Sequence, residues 1–318
     1  MDNEGEEKKA DATEKEAQNV SESAVATATL GSISKKEKII YAAIGVIILA
    51  AIIVLSVRIT TYYVELNRSR RIAELSRQLA ASAARQTPAP RSTPSAPTPA
   101  PALATATAPA ATPEPEAPRE PVMHELILNL REAFDNDDII AYVRIEGTNI
   151  DYAVVQGPDN DFYLARDLNK KKNTAGSVYL DYENHPYILD RNNILYGHNM
   201  RNGSMFHNLR YYTGREFYEN HRYITYTTLY EQTRWEIFAV YNAFITFNYI
   251  QVNFNSDDEF MELVNGIKSR SVINTGITLN PEDTILTLST CTNVNVVERF
   301  VISARLIEAI PHQTPDAN

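Results

Sequence analysis

The chain has 318 residues and a formal net charge of −10, long enough for two domains but without the basic signature of a nucleic-acid binder. Its single cysteine excludes an internal disulfide, and in an exported chain an unpaired Cys points to a reactive thiol or an intermolecular link. The histidines lack HExxH spacing, no second Cys is present and the eleven glycines are scattered, so no metal, nucleotide or other cofactor is expected.

An acidic tail runs to residue 38. Its first 34 residues hold eight acids against Lys8, Lys9 and Lys15 and few large apolar groups, a composition that predicts disorder. Ile39–Val57 is 19 residues without a charge, roughly 28 Å as a helix and so about the hydrocarbon thickness of a bilayer. No small-residue cleavage site follows, which predicts an uncleaved transmembrane anchor. Lys35, Lys36 and Lys38 before the run are slightly outnumbered by Arg58, Arg68, Arg70 and Arg71 after it, so flanking charge does not assign its orientation.

Residues 58–86 lack Gly and Pro and are rich in helix formers. Their apolar positions are sparse, which predicts a juxtamembrane helix or stalk rather than a core element. Thr87–Pro121 holds eleven of the sixteen prolines among Ala, Thr and Ser. Such a linker favours extended polyproline II and could reach roughly 100 Å, a spacer for a domain working away from the membrane.

The folded domain is expected over residues 122–310, with a short tail at 311–318. It opens on HELILNLREAF, where Leu126, Ile127, Leu130 and Phe134 share one helical face. Two strands flank Gly147-Thr148, a short helix lies in NDFYLARDL, and AGSVYLDYE and NNILYGHN read as strands. Brief helices are expected at Met205–Tyr212 and Arg215–Asn220, strands at Tyr223–Thr228 and Thr233–Phe247, and a helix at Asp257–Arg270. About eight short strands with sparse helices leave a closed barrel or a sandwich.

The chemistry concentrates in TILTLSTCTNVNVVERFVISAR, residues 284–305. Thr284–Thr290 alternates as a strand and ends at Cys291; Phe300, Ile302, Ala304 and Leu306 alternate in the next. If the two pair antiparallel, Arg299 comes beside Cys291, and a guanidinium beside a thiol favours the thiolate. A lone Cys after an apolar strand is more often a small buried hydrophobe, so the reading needs support elsewhere. Of the six histidines, His198 ends an apolar strand beside Gly197. His124, His185, His207, His221 and His312 read as surface or packing residues. Asp151, Asp181 and Asp190 could each orient an imidazole, and nothing in the spacing selects one.

The ordered runs GTNIDYAVVQGPDNDFYL, AGSVYLD, NILYGHNMRNGSMFHNL and DTILTLSTC, with Arg299 opening the last strand, resemble the sortases, cysteine transpeptidases of Gram-positive cell surfaces, and class B most closely. The resemblance covers nearly all of residues 122–309. It implies a mainly β, closed eight-stranded barrel with a few short helices, behind a single N-terminal transmembrane helix and a Pro-rich linker, with the catalytic domain outside the cell. By position it implies Cys291 as nucleophile, His198 as catalytic histidine and Arg299 as catalytic arginine; Arg305, on the same face six residues on, is the alternative. Asn160, Leu164, Tyr249, Ile250, Ser289 and Thr290 match positions that contact the sorting peptide. Thr292 stands where some class B members carry an acid. The implied partners are exported proteins bearing a C-terminal sorting signal and an amine acceptor, either the peptidoglycan precursor or a pilin subunit. Two rivals stand beside this reading: a peptidase that hands the acyl group to water, and a surface scaffold on an inactive barrel.

Overall fold

The computed structural model describes residues 34–86, 123–244, 246–291 and 297–312. The expected linker and most of the acidic tail lie outside them. The chain divides into two units at Tyr63/Val64, although one helix, α1 (Lys35–Gln86), runs through the division. That helix starts ahead of the apolar run, so the last residues of the expected tail are helical. The cause is local. Ser34 Oγ accepts from the Glu37 amide while the Glu37 carboxylate accepts from the Ser34 amide at 2.7 Å, a reciprocal capping box. Within the first unit the described helix is exposed along its length. It contains a window of mean hydropathy 2.9 and is long and apolar enough to cross a membrane.

In the second unit eight strands close a barrel in the order β1-β2-β3-β4-β7-β8-β6-β5. They are β1 (Ile139–Arg144), β2 (Asp151–Val155), β3 (Val178–Leu180), β4 (Asn192–Tyr196), β5 (Tyr223–Thr228), β6 (Glu231–Phe244), β7 (Ile285–Cys291) and β8 (Glu298–Pro311). Two pairings are parallel, β2 with β3 and β4 with β7; the others are antiparallel. Closure leaves the sheet no free edge. The barrel is filled by alternating inward residues such as Val143, Val154, Leu195, Trp235, Leu288 and Ile302, each 1% exposed or less.

Short helices cover the outside. Helix α2 (Glu125–Phe134) buries the expected face of Leu126, Ile127, Leu130 and Phe134. A 3-10 turn at Tyr163–Ala165, a second at Phe206–Thr213 and helix α3 (Arg215–Asn220) follow. Helix α4 (Asp257–Arg270) is capped by Ser256 and buries Phe260, Leu263, Val264 and Ile267.

The stalk expectation needs correcting from Val64 onward. Ser76 and Ala83 of α1 are buried, and Ala83 joins the cluster of Leu126, Ile127 and Leu130, with Ile72, Leu79 and Ala80 packed against it. This segment docks on the barrel through small residues and polar contacts, which a search for an apolar stripe passes over.

Candidate functional site

Register builds the site. In the parallel pair, Tyr196 of β4 stands beside Ser289 of β7, and the Gly197 amide donates to the Ser289 carbonyl at 3.2 Å. Both strands therefore run out at one end of the barrel, with His198 and Cys291 each two residues further on. In the antiparallel hairpin Cys291 pairs directly with Arg299. Arg305 pairs with Ile285 at the other end of β7, and its guanidinium is taken up by the Thr278 carbonyl and Glu236. Of the two arginines weighed from the sequence, only Arg299 stands beside the cysteine.

Gly197 is required by packing. A Cβ there would lie 2.8 Å from the ring of Phe206, whose amide in turn donates to the His198 carbonyl at 2.9 Å. Phe206 thus holds the backbone of His198 from beneath. The imidazole is held from the side, with Nε2 2.8 Å from the carbonyl of Leu164. A carbonyl can only accept, so this contact places a proton on Nε2. The carboxylates proposed as orienters bond elsewhere: Asp181 to Tyr196 and Asn160, Asp190 to Asn184, and Asp151 faces Arg77.

A groove of about 360 Å³ gathers His198, Arg299, Asn160, Leu164, Tyr249, Ile250, Ser289 and Thr290, every sequence-predicted site residue except Cys291, whose backbone ends the adjoining strand. Ser289 and Thr290 are buried, as is Tyr249, whose hydroxyl meets Ser289 Oγ at 2.9 Å. Leu164 and Ile250 stay exposed, 39% and 38%, two apolar side chains lining the groove and neither of them core. Thr290 Oγ1 is buried without a hydrogen-bond partner among the described residues, so the groove has polar capacity left to meet.

Asn160 does not cap the turn that follows it. Asp159 does so, its Oδ1 accepting from the amides of Asp161 and Phe162. Asn160 instead donates to Asp181 Oδ2 at 3.0 Å and accepts from the Tyr182 amide at 3.1 Å. Tyr196 donates to the same Asp181 oxygen at 2.7 Å. Burial, reinforced by that carboxylate, pushes the Tyr196 phenol far above its ordinary range and keeps it a donor. Sequence reasoning missed Tyr196, Tyr179, Asp161 and Phe247 as lining residues. Tyr196 was within reach, because an aromatic two residues before the strand-end histidine lies on the same side of its strand.

The other histidines have structural contacts. His124 Nδ1 caps α2, His185 Nδ1 accepts from the amides of Tyr187 and Ile188, His207 bonds Asn199, and His221 bonds the Glu146 carbonyl. His312 packs against His124 with centroids 4.2 Å apart and the rings tilted by 60°. Among the described residues no group of acids, histidines and cysteine is arranged to hold a metal.

The Sortase domain family matches residues 143–307. The chain is 37% identical to a sortase B of Listeria monocytogenes over 174 residues, covering 54% of this chain and 71% of that protein. It is 33% identical to a sortase B of Staphylococcus aureus over 175 residues, 54% of this chain and 72% of the other. Among solved structures, a Staphylococcus aureus sortase B–substrate complex superposes with a TM-score of 0.55 at 31% identity, covering 59% of this chain and 87% of that one. Sortase B of Clostridium perfringens superposes with a TM-score of 0.53 at 36% identity, covering 57% and 99%. The barrel, the ordered motifs and these relatives together establish that the chain belongs to the sortase family, class B, and is a cysteine transpeptidase.

Proposed function

We propose that the chain is a membrane-anchored sortase in which Cys291, His198 and Arg299 carry the reaction. The observation that carries this reading is the double register: the β4–β7 pair and the β7–β8 hairpin run His198, Cys291 and Arg299 out at one end of the barrel, where His198 and Arg299 line the groove. The substrate is an exported protein with a C-terminal sorting motif, bound along the groove between Leu164 and Ile250. Asn160, Tyr249, Ser289 and Thr290 meet the polar groups of the motif.

In the acylation step the Cys291 thiolate attacks the carbonyl of the motif threonine, and Arg299 stabilises the oxyanion. The C–N bond then breaks while the His198 imidazolium gives its proton to the departing amine. In the second step an amine of the cell-wall precursor attacks the thioester, loses a proton to His198, and releases the thiolate. The apolar run 39–57 anchors the chain in a single pass with the catalytic unit outside.

The full chain in detergent, incubated with a panel of sorting-type peptides with and without an oligoglycine or diamine, tests this by mass spectrometry. A covalent adduct on Cys291 and amine-dependent ligated product are expected, with both absent in Cys291→Ala. Turnover that persists in Cys291→Ala overturns the assignment. An adduct that only hydrolyses with every amine replaces transfer by proteolysis.

A further inference from the structure

Helix α1 meets the barrel at one loop. Glu65, Arg68 and Ser69 lie three and four residues apart and so share a helix face. All three contact the loop 166–177, about a hundred residues on. Glu65 accepts from the Thr174 amide at 3.1 Å and from its hydroxyl. Ser69 Oγ accepts from Asn173 Nδ2 at 2.8 Å. Arg68 Nε lies 2.7 Å from Asp167 Oδ2, and its guanidinium also donates to the Lys172 carbonyl. The Nε–H is not aligned on the oxygen, so that contact is an attraction of charges more than a directed hydrogen bond.

Asp167 organises the loop. Its carboxylate is 3% exposed, and Oδ1 accepts from the amides of Asn169 and Lys171 at 3.0 and 3.1 Å. Among the described ion pairs its only counter-charge is Arg68. The far side of the loop brackets Leu164: the Asn173 amide donates to the Ala165 carbonyl at 2.9 Å and the Ser177 amide to the Tyr163 carbonyl at 3.0 Å. Gly176, at φ +59°, passes so close that a Cβ would lie 2.4 Å from the Leu164 oxygen. That oxygen is the partner of His198 Nε2.

We propose that Arg68 is a positioning residue for His198, acting from the juxtamembrane helix through Asp167 and the loop 166–177 on the Leu164 carbonyl. The inference rests on the reading of His198 as the proton donor. Without Arg68 the buried Asp167 charge loses its partner. The loop must then open to hydrate that charge, and the Leu164 carbonyl moves with it. Displacement of a catalytic group by a fraction of an ångström lowers turnover rather than substrate binding.

The test uses the full chain in detergent with ¹⁵N-labelled histidine, comparing wild type, Arg68→Ala and Arg68→Lys. For Arg68→Ala, kcat is expected to fall about 10-fold with KM within about 2-fold, and the His198 Nε2 resonance should lose its hydrogen-bonded shift. Arg68→Lys, which keeps the counter-charge, should restore most of both. An Arg68→Ala protein with wild-type kcat and an unchanged His198 resonance overturns the proposal. So does a loss of activity that follows the melting temperature while the His198 resonance stays in place. If the wild type ligates no sorting peptide, the transpeptidase reading of these residues fails, and the resonance still decides whether Arg68 sets the imidazole.

Discussion

The two walls of the groove are held in different ways. The Leu164 wall is a 3-10 turn fixed by backbone hydrogen bonds from a neighbouring loop, which is fixed in turn by charges on α1. The Tyr249 side is tied in by side chains: Tyr249 bonds Ser289 and packs with Phe260 and Val264, and Asn192 holds its carbonyl. Asn192 is 0% exposed, donates to the carbonyls of Tyr249 and Gln251 at 3.0 and 2.9 Å, and accepts from Thr287 at 2.9 Å. The first carries the carbonyl that His198 meets; the second carries Tyr249 and Ile250 into the groove. Backbone hydrogen bonds from several directions fix the first, and buried side-chain contacts fix the second.

The walls should therefore break differently. Asn192→Ala strips two buried carbonyls and a hydroxyl of their partner at once and should cost about 3 kcal/mol in denaturant unfolding. It should also raise KM for a sorting peptide more than it lowers kcat, the reverse of the pattern expected for Arg68→Ala. If both variants moved the same kinetic constant, the contrast between the walls would be wrong.

Acid should act on neither wall first but on the distant clasp of His124 and His312. Burial, with the second imidazole nearby, lowers His124 from 6.5 to about 4, and burial lowers His312 as well. The unfolded chain binds the proton more readily, so stability supplied by the neutral pair is whole above about pH 6.5 and lost as pH falls towards 4. With both rings half exposed, about 1–2 kcal/mol is expected to disappear across that window. Melting temperature followed against pH would show it, and His124→Gln should flatten the slope. The smallest effect belongs to Tyr249→Phe. It removes the 2.9 Å bond to Ser289 and should cost about 1 kcal/mol of stability with a modest rise in KM.

Much of the site was legible because its residues end strands. TLSTC and YGHN each announce a β run that stops at a chemically useful side chain, and RFVISAR offers two arginines on one face. Which arginine stands beside Cys291 is a matter of register, and the antiparallel hairpin sets Arg299 opposite it. The parallel β4–β7 pairing was not legible, since nothing local in NNILY or ILTLSTC distinguishes a parallel neighbour from an antiparallel one. The docking of α1 was hidden for a different reason. Its polar contact face is Glu65, Arg68 and Ser69, residue types that ordinarily mark a solvated surface, and their partners lie about a hundred residues away in sequence. Asp181 was seen only as one of three equivalent carboxylates, and its role as a hub for Tyr196 and Asn160 needed three dimensions.

The burial of Ala83 against Leu126, Ile127 and Leu130 brings the end of α1 and the start of α2 to the same patch of the barrel. The chain between residues 86 and 123 thus joins two fixed points, and α1 behaves as a ligand tethered beside its own receptor. Closing such a loop costs only about 0.6 kcal/mol more for each doubling of its length, so linker length can vary widely without loosening the dock. An effective concentration in the millimolar range keeps a weak polar interface occupied. A competitor for the Glu65–Ser69 face would take Arg68 from Asp167 and loosen the loop that borders Leu164.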